Sequence, residues 1–145
     1  MTKLDDASWH HSGDDFPEEL PEECGATHIG FFIRWAIDRG FVSAFLGEGV
    51  GAPLDAVRSG VLSARTFVLE QCDGKLLSEM LKPEIANFSE SYYPKKYLSD
   101  YHALLGARLE SDYLVEESPE NYSKVTSMLD AALQKSRTRR WWNPW

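Results

Sequence analysis

Long apolar runs are missing from this sequence. No stretch approaches the roughly 20 apolar residues that a helix needs to cross a bilayer. The first six residues, MTKLDD, also lack the apolar stretch of a secretory signal. We therefore expect a cytoplasmic protein with no transmembrane segment.

Cysteine and the familiar catalytic motifs are scarce or missing. Cys24 and Cys72 are the two cysteines, and without an export signal we expect reduced thiols that fill space in the core. The chain has no CxxC, HExxH, GxSxG or glycine-rich phosphate loop. Cys24 and His28 form one ligand-like pair, whereas structural zinc sites usually show two. The sequence predicts no metal site, no cofactor and no catalytic residues, and therefore a protein that is not an enzyme.

Basic residues are outnumbered, with 15 Lys and Arg against 23 Asp and Glu, a net charge of -8. This balance argues against nucleic acid as the main partner, because binding to phosphates draws on clustered Lys and Arg. Residues 1–23 hold eight acids against one Lys, whereas residues 135–145 hold four basic residues and no acid. A basic protein is the partner that this charge favours.

The composition itself is that of a globular chain, with 43% apolar residues in 145. Helical spacing of apolar residues predicts a central helix over 26–39, a helix capped by Ser63, and a helix that begins at Pro83 and ends at Pro94. A further helix should follow from Tyr97 to Gly106, joined to the previous one by a tight corner. The last and best-defined helix should begin after Ser118.

These elements predict a mainly α fold in a single compact domain of about five to six helices. At most one short strand or hairpin is expected, with residues 112–116 as the candidate strand. The domain should cover residues 1–136 and include an extended acidic N-terminal segment. Residues 137–145 should form a separate C-terminal tail rich in Arg and Trp.

The N-terminal segment alternates apolar anchors with pairs of acids, and its plainest role is to pin itself to the core through Trp9, Phe16 and Leu20. Exposed acids beside aromatic residues can also dock on a cationic cleft of a partner. On that interpretation the partner-binding residues are Trp9, His10, Asp14, Asp15, Glu18 and Glu19, together with Glu116 and Glu117.

Two other interpretations stay open. A small enzyme or metal-binding protein would use His10, His11 or His28 with the nearby carboxylates, although His28 on the central helix more simply hydrogen-bonds to the N-terminal segment. An adaptor would act through the tail, whose Arg and Trp suit single-stranded nucleic acid or a membrane interface. Folding back onto the acidic surface, or packing in a homodimer, is the behaviour that we favour for this tail.

Several short motifs occur along the chain: ASWH at 7–10, GDDFPEELP at 13–21, ATHIG at 26–30, FVLE at 67–70, CDGK at 72–75 and YLSDY at 97–101. With them the chain resembles a family of small, acidic bacterial proteins similar to the immunity proteins of polymorphic or contact-delivered toxin systems. The resemblance implies binding to a cognate toxin, encoded by a neighbouring gene, whose active site the protein would occlude. It supplies no catalytic residues.

Overall fold

The computed structural model describes residues 2–48 and 51–142, with side chains described as far as residue 139. The fold is mainly helical and compact, as predicted. Its α-helices are α1 (Ala7–His11), α2 (Thr27–Asp38), α3 (Ala44–Gly47), α4 (Gly51–Ser59), α5 (Ala64–Gln71), α6 (Pro83–Tyr92), α7 (Leu98–Tyr101) and α8 (Pro119–Trp142). Two short strands, β1 (Lys3–Asp6) and β2 (Lys75–Leu77), complete the domain.

Helix α2 lies at the centre of the core, as its apolar circumference predicted. Ten of its twelve residues are buried, among them His28 and Trp35. A helix with so little polar surface must be covered on several sides, and α4, α5 and α8 all pack against it. Any polar side chain on its buried faces therefore needs a partner inside the protein.

The contact between α2 and α5 is unusually close at Gly30. A Cβ atom on Gly30 would lie 2.8 Å from the Arg65 backbone nitrogen and 2.9 Å from its Cα. The start of α5 is fixed there by its predicted cap, since the Thr66 N–H donates to Ser63 Oγ at 3.0 Å. Asp73 and Gly74 follow α5 with positive φ angles and turn the chain into β2.

The strands were the less predictable part of the fold. Strands β1 and β2 pair antiparallel, Lys3 with Leu77 and Asp6 with Lys75, with an irregularity between Lys3 and Asp5. The strand predicted for residues 112–116 is wrong. Residues Asp112–Leu114 form a 3-10 turn instead, capped by Ser111, whose Oγ accepts from the Tyr113 N–H at 3.2 Å.

The predicted corner at Pro94 is also wrong. The chain continues through a π-helical segment (Tyr93–Tyr97), α7, and a second π-helical segment (His102–Gly106), so residues 83–106 form one helical run. A π-helical turn bonds each N–H one residue further back, and such turns accommodate a local break in the α-helical ladder. Proline therefore changes the pitch here without ending the helix, and the run ends at Gly106 as expected.

Helix α8 begins as predicted, with Ser118 Oγ accepting from the Asn121 N–H at 3.1 Å. Asp130 on α8 binds α2, because the Trp35 indole donates to it at 2.9 Å and Arg39 donates to both of its oxygens. The helix runs on to Trp142, through the first residues of the predicted tail. The tail's tryptophan side chains and residues 143–145 lie outside the described part of the chain.

Both cysteines are free thiols, Cys72 buried and Cys24 half-buried. Among the described residues, no helix combines the length and the apolar composition needed to cross a lipid bilayer.

Candidate functional site

Three side chains from separate elements converge in the interior, and we call them the Asp5 centre: Asp5, His10 and His28. His10 Nε2 lies 2.7 Å from Asp5 Oδ1, and His28 Nε2 lies 2.9 Å from Asp5 Oδ2. The two Nε2 atoms are 3.2 Å apart. Asp5 and His28 are buried, 2% and 4% exposed, while His10 is half-buried at the edge of a pocket.

Local sequence features aim each of the three side chains inward. The irregular register of β1 places one additional residue between its pairs with β2, and such bulges re-aim a side chain. Asp6 then caps α1 by accepting from the Ser8 N–H at 2.9 Å, which sets the direction of the helix that carries His10. His28 is the second residue of the central helix α2, which fixes its position in the core.

Two tyrosines hold the Asp5 centre from outside. The Tyr93 hydroxyl donates to Asp5 Oδ2 at 2.5 Å, and the Tyr113 hydroxyl lies 2.8 Å from His10 Nδ1. The backbone N–H of Asp6 donates to Asp5 Oδ1 at 2.8 Å. The carboxylate is therefore oriented on every side, and the imidazole of His10 is fixed by contacts at both of its nitrogens.

The electrostatics follow from burial and these contacts. Burial alone would raise the pKa of Asp5, but the hydrogen bonds and charges of His10 and His28 outweigh it and hold that pKa well below its usual range. Burial lowers the pKa of His28, against the opposing effect of the Asp5 carboxylate. Burial also raises the pKa of Tyr113 to about 12, so its hydroxyl keeps its proton at neutral pH.

The Asp5 centre has the spacing of a metal site. Its ligand atoms all lie within 4.8 Å of one another. Around an ion bound at about 2.0–2.2 Å, neighbouring ligand atoms lie roughly 3.0 Å apart in an octahedron and roughly 3.4 Å apart in a tetrahedron. The observed separations are of similar size, and they involve four atoms: His10 Nε2 is 2.7 Å from Asp5 Oδ1, His28 Nε2 is 2.9 Å from Asp5 Oδ2, and the two nitrogens are 3.2 Å apart. Two imidazoles and one carboxylate are therefore close enough together to hold a divalent cation.

A pocket of about 430 Å³ gives access to this centre. Its lining includes His10 and His28, and also Tyr101, whose buried hydroxyl has no hydrogen-bond partner among the described residues. On the pocket wall, His102 Nδ1 lies 2.7 Å from Asp112 Oδ1, an arrangement that leaves the other ring nitrogen of His102 available. A Cβ at Gly106 would overlap Asp112, so glycine is needed for this contact.

The histidines singled out from the sequence separate into two groups. His10 and His28 meet, and His28 contacts the N-terminal segment as expected. His11 points elsewhere and lies 4.0 Å from Glu22. Asp15 lines the pocket, whereas Asp14, Glu18 and Glu19 are exposed elsewhere on the N-terminal segment.

The other predicted partner-binding residues take different positions. Trp9 is 55% exposed and does not anchor its segment, although Lys3 lies over its ring. Glu116 is exposed. Glu117 is half-buried, and one of its oxygens accepts from the Arg65 N–H at 2.9 Å, so it helps to cap α5.

Sequence reasoning missed three residues of the site: Asp5, Tyr93 and Tyr113. The available signal was His28, a polar residue on the buried stripe of an otherwise apolar helix, which must find a partner. Nothing in the sequence pattern identified that partner, because Asp5 lies in a short strand that the periodicity does not reveal. The two tyrosines come from segments predicted as a helix end and a strand.

A family model described as a domain of unknown function (DUF7832) matches residues 3–115. The matched range begins two residues before Asp5 and ends two residues after Tyr113, so it contains the whole site. No curated protein and no solved structure shows a significant match.

Proposed function

We propose that this chain, which belongs to the DUF7832 family of domains of unknown function, is a divalent-metal-dependent enzyme that hydrolyses a small polar substrate. Asp5, His10 and His28 are the metal ligands in this proposal. The observation that carries it is the convergence of two imidazole nitrogens and one carboxylate at 2.7–3.2 Å beside an open pocket.

The Asp5 centre can hold either protons or a cation. Without a cation, His10 Nε2 and His28 Nε2 can each donate to a different oxygen of Asp5, and the two nitrogens lie 3.2 Å apart. A bound metal ion would take the place of those two protons and have both nitrogens as ligands. Two histidines and one carboxylate leave coordination positions open for water or substrate, as catalytic sites require.

The surroundings supply the remaining parts of a hydrolytic site. Tyr93 and Tyr113 orient a ligand each, a supporting role that usually tunes metal affinity. A divalent ion held by Asp5, His10 and His28 would supply a water of lowered pKa. His102, oriented by Asp112 on the wall of the same pocket, would be the group that accepts a proton from that water.

Metal binding is tested on the purified full chain by elemental analysis and by titration of the metal-free protein with Zn²⁺ and Co²⁺. We expect one ion per chain, with a cobalt absorption spectrum typical of nitrogen and oxygen ligands. Asp5→Asn and His28→Gln should abolish stoichiometric binding. His11→Gln is the matched control, since His11 neighbours His10 in sequence but lies outside the Asp5 centre.

Hydrolysis is tested with p-nitrophenyl esters and phosphates in the presence of the metal that binds. His102→Gln should keep the ion and lose most of the turnover. A wild-type chain that binds neither ion at micromolar concentration would exclude the proposal, whatever the variants do. Circular dichroism of each variant separates lost ligands from a lost fold.

A second proposed function is that of a cytoplasmic immunity protein that binds and neutralises a cognate bacterial toxin. A separate observation favours it: Asp14, Asp15, Glu18 and Glu19 are all exposed, and none of them forms an ion pair within the described ranges. Unpaired surface acids accelerate association with a basic partner. The resemblance of the sequence motifs to immunity-type proteins points the same way.

Co-expression with the product of the neighbouring gene tests this second function, which requires a stable complex and relief of toxicity. Changing the four acids to Asn and Gln should slow association and reduce its salt dependence. Asp5→Asn should leave association unchanged, because Asp5 is buried. Unchanged kinetics in the four-acid variant would remove these residues from the interface.

A further inference from the structure

A second concave surface lies between α6, the π-helical segment that follows it, and α8, and we call it the basic groove. It has a volume of about 890 Å³. Its floor is largely apolar and includes Phe88 and Tyr92, whose rings stack with centroids 5.1 Å apart, and the α8 residues Met128 and Ala132. This groove has no part in the Asp5 centre.

The charge of the groove is opposite to that of the molecule. Four basic side chains line it: Lys95 and Lys96 from the π-helical segment, and Lys135 and Arg139 from α8. All four are exposed, and none forms an ion pair within residues 2–48 and 51–139. The acid in the lining, Asp100, accepts from the Tyr92 hydroxyl at 2.8 Å. A chain with net charge -8 thus concentrates unpaired positive charge around one apolar floor.

We infer that the basic groove is a docking site for an amphipathic, acidic α-helix of a partner protein. Such a helix presents an apolar stripe flanked by carboxylates, which matches an apolar floor between basic residues of two different elements. The α8 side of the groove includes three residues with small side chains, Ala131, Ala132 and Ser136, so a helix can approach α8 closely.

Other occupants fit less well. The acids of the chain's own N-terminal segment lie in a non-helical stretch and have no continuous apolar stripe beside them. Phe16 packs on Tyr113 with ring centroids 5.0 Å apart, and the exposed ring of Trp9 lies beneath Lys3. The chain's last six residues, 140–145, carry an Arg and no acid, so they offer no carboxylate to the basic side chains of the groove. A nucleic acid binds mainly through its phosphates and would leave the apolar floor uncovered.

The test uses a fluorescein-labelled designed peptide of about 18 residues, or roughly 27 Å of helix, with Leu and Ala on one face and Glu on the others. Fluorescence anisotropy with the full-length protein should give a micromolar Kd that weakens as salt rises. A shuffled peptide of the same composition, which has no apolar face, should bind at least about tenfold more weakly.

Charge reversal locates the site. The double variant Lys95→Glu, Lys135→Glu should weaken binding by about tenfold or more. The control Lys82→Glu, Lys124→Glu makes the same change in net charge at exposed positions outside the groove and should have little effect. Amide hydrogen exchange should show peptide-dependent protection in α6 and α8.

Three results would overturn the inference. Equal binding of the shuffled peptide, or equal losses in the two double variants, would show attraction by charge alone. Self-association that the groove variant abolishes would assign the surface to a second copy of the chain. Tighter binding of a short single-stranded DNA than of the peptide would assign it to nucleic acid.

Discussion

Asp5 accepts hydrogen bonds or contacts from four groups within 2.9 Å: the Asp6 N–H, His10, His28 and Tyr93. A buried carboxylate is stable only when its lone pairs are satisfied in this way. Each of these partners restrains one direction of movement. The consequence is a group of side chains whose positions are fixed in advance, which is the property that the proposed metal site needs.

Tyr93 donates to Asp5 but is not itself a proposed ligand. Tyr93→Phe should lower the affinity for the bound divalent ion by roughly 10–100-fold, because an orienting partner of the carboxylate is lost. Calorimetric titration with the bound metal measures the change. Tyr122→Phe is the matched control, since it removes a hydroxyl that donates to Asp38, away from the centre. Equal affinities in both variants would show that Tyr93 has only a structural role.

At the scale of single residues, the sequence predicted the surface better than the site. Acidic side chains at 14, 15, 18 and 19 are exposed, as charged residues usually are. The partner of His28 was unpredictable, because its carboxylate is 23 positions away in a strand stabilised by pairing with β2. Such a contact depends on the tertiary fold and leaves no local pattern.

Among the secondary-structure elements, the crossing of α2 and α5 has the closest approach of a glycine to backbone atoms of another element within the described chain. Gly30→Ala should destabilise the protein by about 1–3 kcal/mol, since the new methyl group meets backbone atoms of Arg65 that cannot rotate away. Gly47→Ala, in α3 with open space around its Cα, should be neutral or stabilise by up to about 1 kcal/mol. Urea unfolding of both variants compares the two changes directly.

The junction of α2 and α8 provides a prediction with a pH dependence. Asp130→Ala should cost about 1–3 kcal/mol at pH 7, because the buried Trp35 N–H loses its acceptor. Arg39→Gln should cost less than about 1 kcal/mol, since that ion pair is exposed.

Hydrogen bonds from Arg39 hold the pKa of Asp130 below its ordinary value. A lowered pKa in the folded state gives stability that is present above the unfolded pKa, about 3.9, and is lost as the pH falls toward the folded pKa. The difference between wild type and Asp130→Ala should therefore be full at pH 5–7 and shrink below about pH 4. A constant difference across this range would contradict the assigned role of the Asp130 carboxylate.

Helix starts were predictable from local chemistry, because Ser63 and Ser118 form the expected capping hydrogen bonds. The path at Pro94 was not. A proline usually ends an α-helix, yet here a π-helical turn accommodates Pro94, which has no backbone N–H to donate. The buried rings of Tyr93 and Tyr97 stack across that turn with centroids 4.6 Å apart. Tertiary packing outweighed the local rule, and that same turn places Tyr93 against Asp5.

For the whole molecule, the charge is divided between two surfaces of different construction. The acids of the N-terminal segment are exposed, but the ring of the neighbouring Phe16 packs on Tyr113. The basic groove, in contrast, combines cations with an apolar floor. The first kind of surface accelerates encounter and the second provides affinity. A partner that is basic at one end and carries an acidic helix would engage both.

Global stability can be followed through Cys72. Burial raises the pKa of this thiol to about 11 and removes it from reagents. In a Cys24→Ser background, labelling by a disulfide reagent at pH 8 should proceed at the rate of unfolding events that expose the core, and urea should accelerate it. Fast labelling of Cys72 without denaturant would indicate that α5 opens locally. The single variant Cys72→Ser, which keeps the half-buried Cys24, is the control for labelling of a more accessible thiol.

The contacts that complete the Asp5 centre join distant parts of the chain, since Asp5 and Tyr93 are 88 positions apart and His10 and Tyr113 are 103 positions apart. Closing such long loops costs entropy that is recovered only when the core has formed. During synthesis, a nascent chain therefore carries His10 and His28 long before it can orient them. The full set of contacts that orients this centre can therefore form only after residue 113 has joined the fold.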